Sequence, residues 1–323
     1  MKRDADVRSQ SARTASMALG VLILVATLPR QAHPQVVNST MDPMQLAILH
    51  WEPASQNSIS VGSYPDGIVF DGASVWVANG GSNTVSHITN GAIVTYPVSG
   101  QPTGLAYDGA NLWITNLLAS AVTKMRASDG AILGTYSVGL NPWGIAFDGA
   151  SLWVTNNGGN TVTNLRASDG KNLGTFTVGA SPSGIAFDGF NIWVTNWGSN
   201  TVMMLNQAGG IIGTYRVGVN PTCIAFDGRG IWVTNESSNT VTLLRASDGA
   251  TLGTYRVGNH PMGIVYDGQY IWVSNFWDNT VTRLNLLGAS QGTFPAGNGP
   301  ALMAFDGANV WVSNYFGNTV SHL

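Results

Sequence analysis

Disulfides, dense charge and long apolar runs are all missing from this chain, and each absence narrows what it can be. A single cysteine, Cys223, rules out an internal disulfide, so packing and strand pairing must hold the fold. Only 10% of the 323 residues are charged. Residues 1–35 hold five of the fourteen Lys and Arg but two of the seventeen Asp and Glu, which leaves the remainder at a net −6. A mildly acidic body without basic runs argues against phosphate-driven nucleic-acid binding. The apolar stretch Met17 to Leu28 is twelve residues, too short to cross a bilayer comfortably. Behind the basic residues that end at Arg13, it reads as the core of an export signal over 1–32, or as an uncleaved anchor. That anchor would be the chain's one membrane contact. The product is expected to be secreted, periplasmic or at the cell surface.

What the chain has in abundance is glycine, 40 copies, and a recurring phrase of apolar-Trp-Val-Thr-Asn type. Its Trp residues are Trp76, Trp113, Trp153, Trp193, Trp232, Trp272 and Trp311, stepping by 37, 40, 40, 39, 40 and 39 residues. A period near 40 with strand-like residues in each unit marks a β-repeat array. Within the third unit, Gly144-Ile145-Ala146-Phe147, Leu152-Trp153-Val154-Thr155, Thr161 to Leu165 and Leu173 to Val178 read as four strands. Asp148-Gly149 joins the first two as a hairpin, and Ala167-Ser168-Asp169-Gly170 joins the last two. Seven such units predict an all-β, seven-bladed propeller of four-stranded blades over 58–323. Upstream, residues 33–57 read as a linker with a short helix that Asp42 caps and Pro43 starts.

The last unit ends after its third strand, Thr319 to Leu323, while Ser58 to Gly62 match a fourth strand with no unit of its own. The N-terminal strand is therefore expected to complete the last blade and close the ring.

Trp-Val-Thr-Asn, preceded by Gly-Ile-Ala-Phe-Asp-Gly and followed by Asn-Thr-Val, resembles the YVTN family of propeller repeats, with NHL repeats close in pattern. That resemblance implies an exported or cell-surface propeller and no particular activity. The chain is also similar to the streptogramin lyases, seven-bladed propellers with a His and a Glu-x-His pair near Mg²⁺. None of the five histidines here stands two residues after a Glu.

Variation between units concentrates in the loops before strand one and after strand two, which share a face. There Trp143, Trp197, His260, Met262, Phe276, Trp277, Tyr315 and Phe316 form an aromatic and soft set, with Glu236 and Asp278 as polar groups beside it. Such a surface suits a carbohydrate, peptide or protein ligand. The chain is read as a monomeric binding or scaffold module, with no cofactor, metal or catalytic residue assigned. The alternative is a propeller lyase or hydrolase with a metal-assisted site near His260 and Glu236. The repeated Trp and Asp are expected to be structural, wedged between blades and shaping turns. Cys223, which replaces a glycine at the start of an innermost strand, is expected to be a small buried thiol.

Overall fold

The computed structural model describes residues 58–323; the export signal or anchor over 1–32 and the linker helix within 33–57 lie outside the described residues. The described chain forms strands β1 to β28, arranged as seven four-stranded antiparallel sheets. In the third blade these are β10 (Pro142–Phe147), β11 (Ser151–Asn156), β12 (Thr161–Arg166) and β13 (Asn172–Thr177), paired in chain order. Each blade's first strand is innermost, and neighbouring innermost strands pack around the axis. The seven-bladed propeller expected from the repeats is what forms. β1 (Ser58–Ser60) pairs antiparallel with β28 (Thr319–His322), with Ile59 opposite Val320. The N-terminal strand thus supplies the outer strand of the last blade, covering an edge that would otherwise be exposed.

The repeated phrase works as a set of fasteners. Each Asp-Gly turn uses one carboxylate oxygen to accept two backbone N–H groups, as Asp188 does from Phe190 and Asn191 at 2.8 and 2.7 Å. The other oxygen accepts the indole N–H of the Trp five residues on, at 2.6–2.7 Å in all seven blades. That bond satisfies the one polar atom on a ring that is buried between sheets in six blades and half-buried at Trp311 in the last. Trp153, for instance, packs with Ile192 and Val194 of the following blade.

The hydroxyl after the Trp-Val pair crosses to the next blade. Thr195 Oγ1 donates to the carbonyl of Thr222 at 2.7 Å and accepts the Gly184 N–H at 2.7 Å. Six junctions carry such a bond, from Thr115, Thr155, Thr195, Thr234, Ser274 and Ser313. Blade one has Ala78 at this position, so its junction with blade two lacks the hydroxyl. The repeated Asn is buried as well: in blades three to six its Oδ1 accepts a backbone N–H, as Asn196 does from Gly179 at 3.0 Å.

Candidate functional site

The two variable loop sets are bonded to each other, blade by blade. The residue after each repeated Asn donates its N–H to the carbonyl of the residue before the loop proline, as Phe276 does to His260 at 3.0 Å. The residue before each proline is left-handed, with φ of 51° at Tyr64 and 58° at His260. L-residues disfavour that region by roughly 1–2 kcal/mol, so something must hold them there. An Asn from the preceding blade does: Asn239 Oδ1 accepts the His260 N–H at 2.9 Å, and Asn318 Oδ1 accepts that of Tyr64 at 3.0 Å. His260 is thereby anchored at its N–H and its carbonyl before its ring makes any contact.

That ring meets both polar and apolar neighbours. His260 Nε2 lies 3.2 Å from Glu236 Oε1, with both side chains partly buried. Glu236 Oε2 accepts the indole N–H of Trp197 at 3.1 Å. On its other side His260 lies 5.7 Å from Phe276 and 5.4 Å from Trp277, centroid to centroid. Phe276 is also 5.3 Å from Phe316 and 6.2 Å from Tyr315. Tyr315 stacks on Tyr64 at 5.0 Å. Blades one, six and seven thus present one continuous aromatic cluster.

Two adjoining cavities lie at this mouth. One, of about 420 Å³, is bordered by Trp143, Trp197, Glu236 and Met262, with Leu117, Asn141, Asn157 and Ser183 opposite. The other, of about 220 Å³, is lined by Asp66, Trp143, His260, Met262, Phe276 and Tyr315. Trp143 and Met262 belong to both, so the sequence-expected residues of blades three to seven meet around one mouth. Trp277 and Phe316 stand on its rim, 6.1 Å apart. Asp278 does not line either cavity. Its carboxylate accepts the Asn259 N–H at 2.6 Å, the same loop-holding role that Ser199 and Ser238 play in blades four and five.

Asp66 is the site residue that loop composition did not single out. It follows a loop proline, where the other blades carry Thr103, Trp143, Ser183, Thr222, Met262 and Ala301. It is 5% exposed and forms no hydrogen bond with its carboxyl among the described residues. Burial alone pushes that carboxyl from 3.8 up to about 7. The signal was present in the chain: one acid among six neutral residues at equivalent positions, on a strand that must be innermost. Cys223, expected to be buried, is only partly so, because it lines the channel below; desolvation there, with Asp66 and Glu236 nearby, still pushes its thiol up to about 12. Such a thiol is not a nucleophile at neutral pH.

Among the described residues no three His, Cys, Asp or Glu side chains come together as a metal site requires. Glu236 and His260 offer two donors in contact, and Asp66, across the smaller cavity from His260, does not complete a set of three. The Mg²⁺ arrangement that a lyase resemblance implies therefore has no counterpart in these donors.

No protein-family model and no curated protein matches this chain. Solved structures do match. A streptogramin B lyase aligns with TM-score 0.72 at 19% identity, covering 84% of this chain and 99% of that one. The virginiamycin B lyase of Staphylococcus aureus aligns with TM-score 0.73 at 21% identity, covering 82% and 97%. In fold, this propeller resembles virginiamycin B lyase. A chain of a mitotic checkpoint complex aligns with TM-score 0.75 at 13% identity, covering 92% and 96%. Identities this low speak of shared architecture alone, and the same architecture serves a lyase in one case and an assembly in another.

Proposed function

We propose that this propeller is a binding module whose ligand enters the loop-face mouth, setting a ring or apolar side chain of a glycan or peptide against the aromatic cluster. One observation carries the reading. His260, Phe276, Trp277, Tyr315, Phe316 and Tyr64 are in unbroken ring contact beside two cavities, and Trp277 remains 55% exposed. Aromatic rings left open beside a cavity leave contact area for a ligand to bury. Glu236 and His260 give that surface a polar, orienting edge. Replacing Trp197 and Trp277 by Ala should reduce capture on glycan and peptide arrays to background, since aromatic anchors that a ligand covers carry about 2 kcal/mol or more each. Capture at the native level would overturn the reading.

A second reading rests on the 3.2 Å contact of His260 with Glu236. A carboxylate that orients an imidazole is the arrangement of a general base, and lyase or hydrolase chemistry at the mouth would use it so. A metal-assisted version would find two protein donors here and take the rest from water or substrate. Turnover of quinupristin, the compound bound to an inactive virginiamycin B lyase, that disappears in His260→Ala, with divalent metal co-purifying, would favour this reading over simple binding. Binding that survives His260→Ala with no turnover in either protein would exclude it.

A further inference from the structure

The smaller cavity has a feature that a neutral ring does not require. Asp66, a residue only 5% exposed, faces it with a carboxyl that forms no hydrogen bond among the described residues. The rest of its lining is aromatic or soft, Trp143, Phe276, Tyr315 and Met262 with the imidazole of His260, and includes no Lys or Arg. A carboxylate taken out of water without a partner is costly, and the cost is recovered when a cation joins it. Ring faces add to this, because their negative quadrupoles attract a cation lying over them.

We propose that this cavity takes the protonated amine of a ligand, with the Asp66 carboxylate as counter-ion and Tyr315, Phe276 and Trp143 as walls. An ammonium is favoured over a metal ion because, among the described residues, three ligating side chains do not gather here, whereas N–H donors match the carboxylate's open acceptor sites. It is favoured over a sugar hydroxyl because a neutral donor leaves the charge uncompensated. Burial, which holds the Asp66 carboxyl at about 7, supplies the reason that a cation is the ligand gaining most. Asp66 is also held in place from outside the cavity: its carbonyl accepts the Ser313 hydroxyl at 2.7 Å across the closing junction. The inference deepens the binding reading above and rests on it.

Benzylammonium and benzyl alcohol share a ring and differ in charge, so calorimetric titration of the full chain at pH 8 with each separates the two ideas. The wild-type protein should bind benzylammonium about tenfold more tightly or better, the worth of one desolvated cation contact. In Asp66→Asn that preference should collapse to within about twofold while benzyl alcohol binding is unchanged. Asp66→Ser is a second variant that introduces the residue this position has in blade four, so a folding defect in one does not leave the question open. Equal binding of the two probes, or a preference that survives both variants, overturns the cation assignment and leaves the aromatic binding mouth standing. Absence of binding by both probes, with array capture still lost in Trp277→Ala, likewise overturns this inference alone. Absence of binding together with undiminished array capture in Trp277→Ala overturns both.

Discussion

Two ends of the same propeller treat aspartate in opposite ways. On the turn face, seven aspartates each collect two backbone N–H groups and an indole N–H, as Asp306 does from Ala308, Asn309 and Trp311. Partial burial would raise the Asp306 carboxyl, but these donors outweigh it and hold it at about 2. On the loop face, Asp66 has burial without donors and is held at about 7. The first kind of aspartate builds the scaffold. The second keeps an unmet interaction facing a cavity, as a site waiting for a partner does. Burial by itself is therefore a poor guide to role; what decides is whether the buried group has been satisfied.

The same substitution should have opposite signs at the two ends. Asp66→Asn should stabilise the protein at pH 8 and do little at pH 4, as thermal or urea unfolding would read. The native carboxyl is raised above its unfolded value, so the stability it contributes is complete below about pH 4 and lost as pH rises toward 7. The displacement from 3.8 to about 7 corresponds to up to roughly 4 kcal/mol at pH 8. A variant no more stable at pH 8 than the native chain would mean that Asp66 has a partner in solution.

Asp188→Asn should destabilise by about 2–3 kcal/mol, since a charge-assisted acceptor of the buried Trp193 indole is lost and an amide N–H can face it instead. Unchanged stability there would break the contrast from the scaffold side.

The blade junctions supply a smaller effect of the same kind. Thr195→Val removes the hydroxyl that serves the Thr222 carbonyl and the Gly184 N–H, and should cost about 1–2 kcal/mol. Ala78→Thr, at the junction that lacks the bond, should gain about 1 kcal/mol if blade one accepts the hydroxyl as the others do. Loss of stability in Ala78→Thr would show that the space beside Asp66 is spoken for.

The smallest effect is at acid pH. Because the Asp306 carboxyl is depressed, its contribution is present above about pH 4 and lost as pH falls toward 2. The melting temperature of Asp306→Asn, lower than native at pH 7, should converge with it near pH 2. Parallel curves across that range would assign the turn's stability to packing rather than to its donors.

Much of this molecule was legible in its residues. Strand count, hairpins, the closing strand and the burial of six of the seven repeated tryptophans followed from a repeat near 40 and from turn chemistry that acts over a few residues; Trp311, in the last blade, is half-buried. The constant spacing of five between each turn Asp and its Trp was also visible, although the bond it makes is evident only when β-hairpin geometry brings the two together. The loop residues Trp143, Trp197, Glu236, His260 and Phe276 were legible as a set, because they vary where everything around them repeats. Their partners were not. Glu236 and His260 lie 24 residues apart in sequence and meet at 3.2 Å because the loops of neighbouring blades converge on one mouth.

Asp66 marks the division most clearly. By itself the sequence determined that residue 66 opens an innermost strand, since local periodicity and the loop proline place it there. Only the closed ring decided that its carboxyl would be buried without a donor, beside rings from blades three, six and seven. Desolvation and the absence of a partner are properties of everything that surrounds a group, and those surroundings arrive from distant sequence positions, Trp143, His260, Met262, Phe276 and Tyr315.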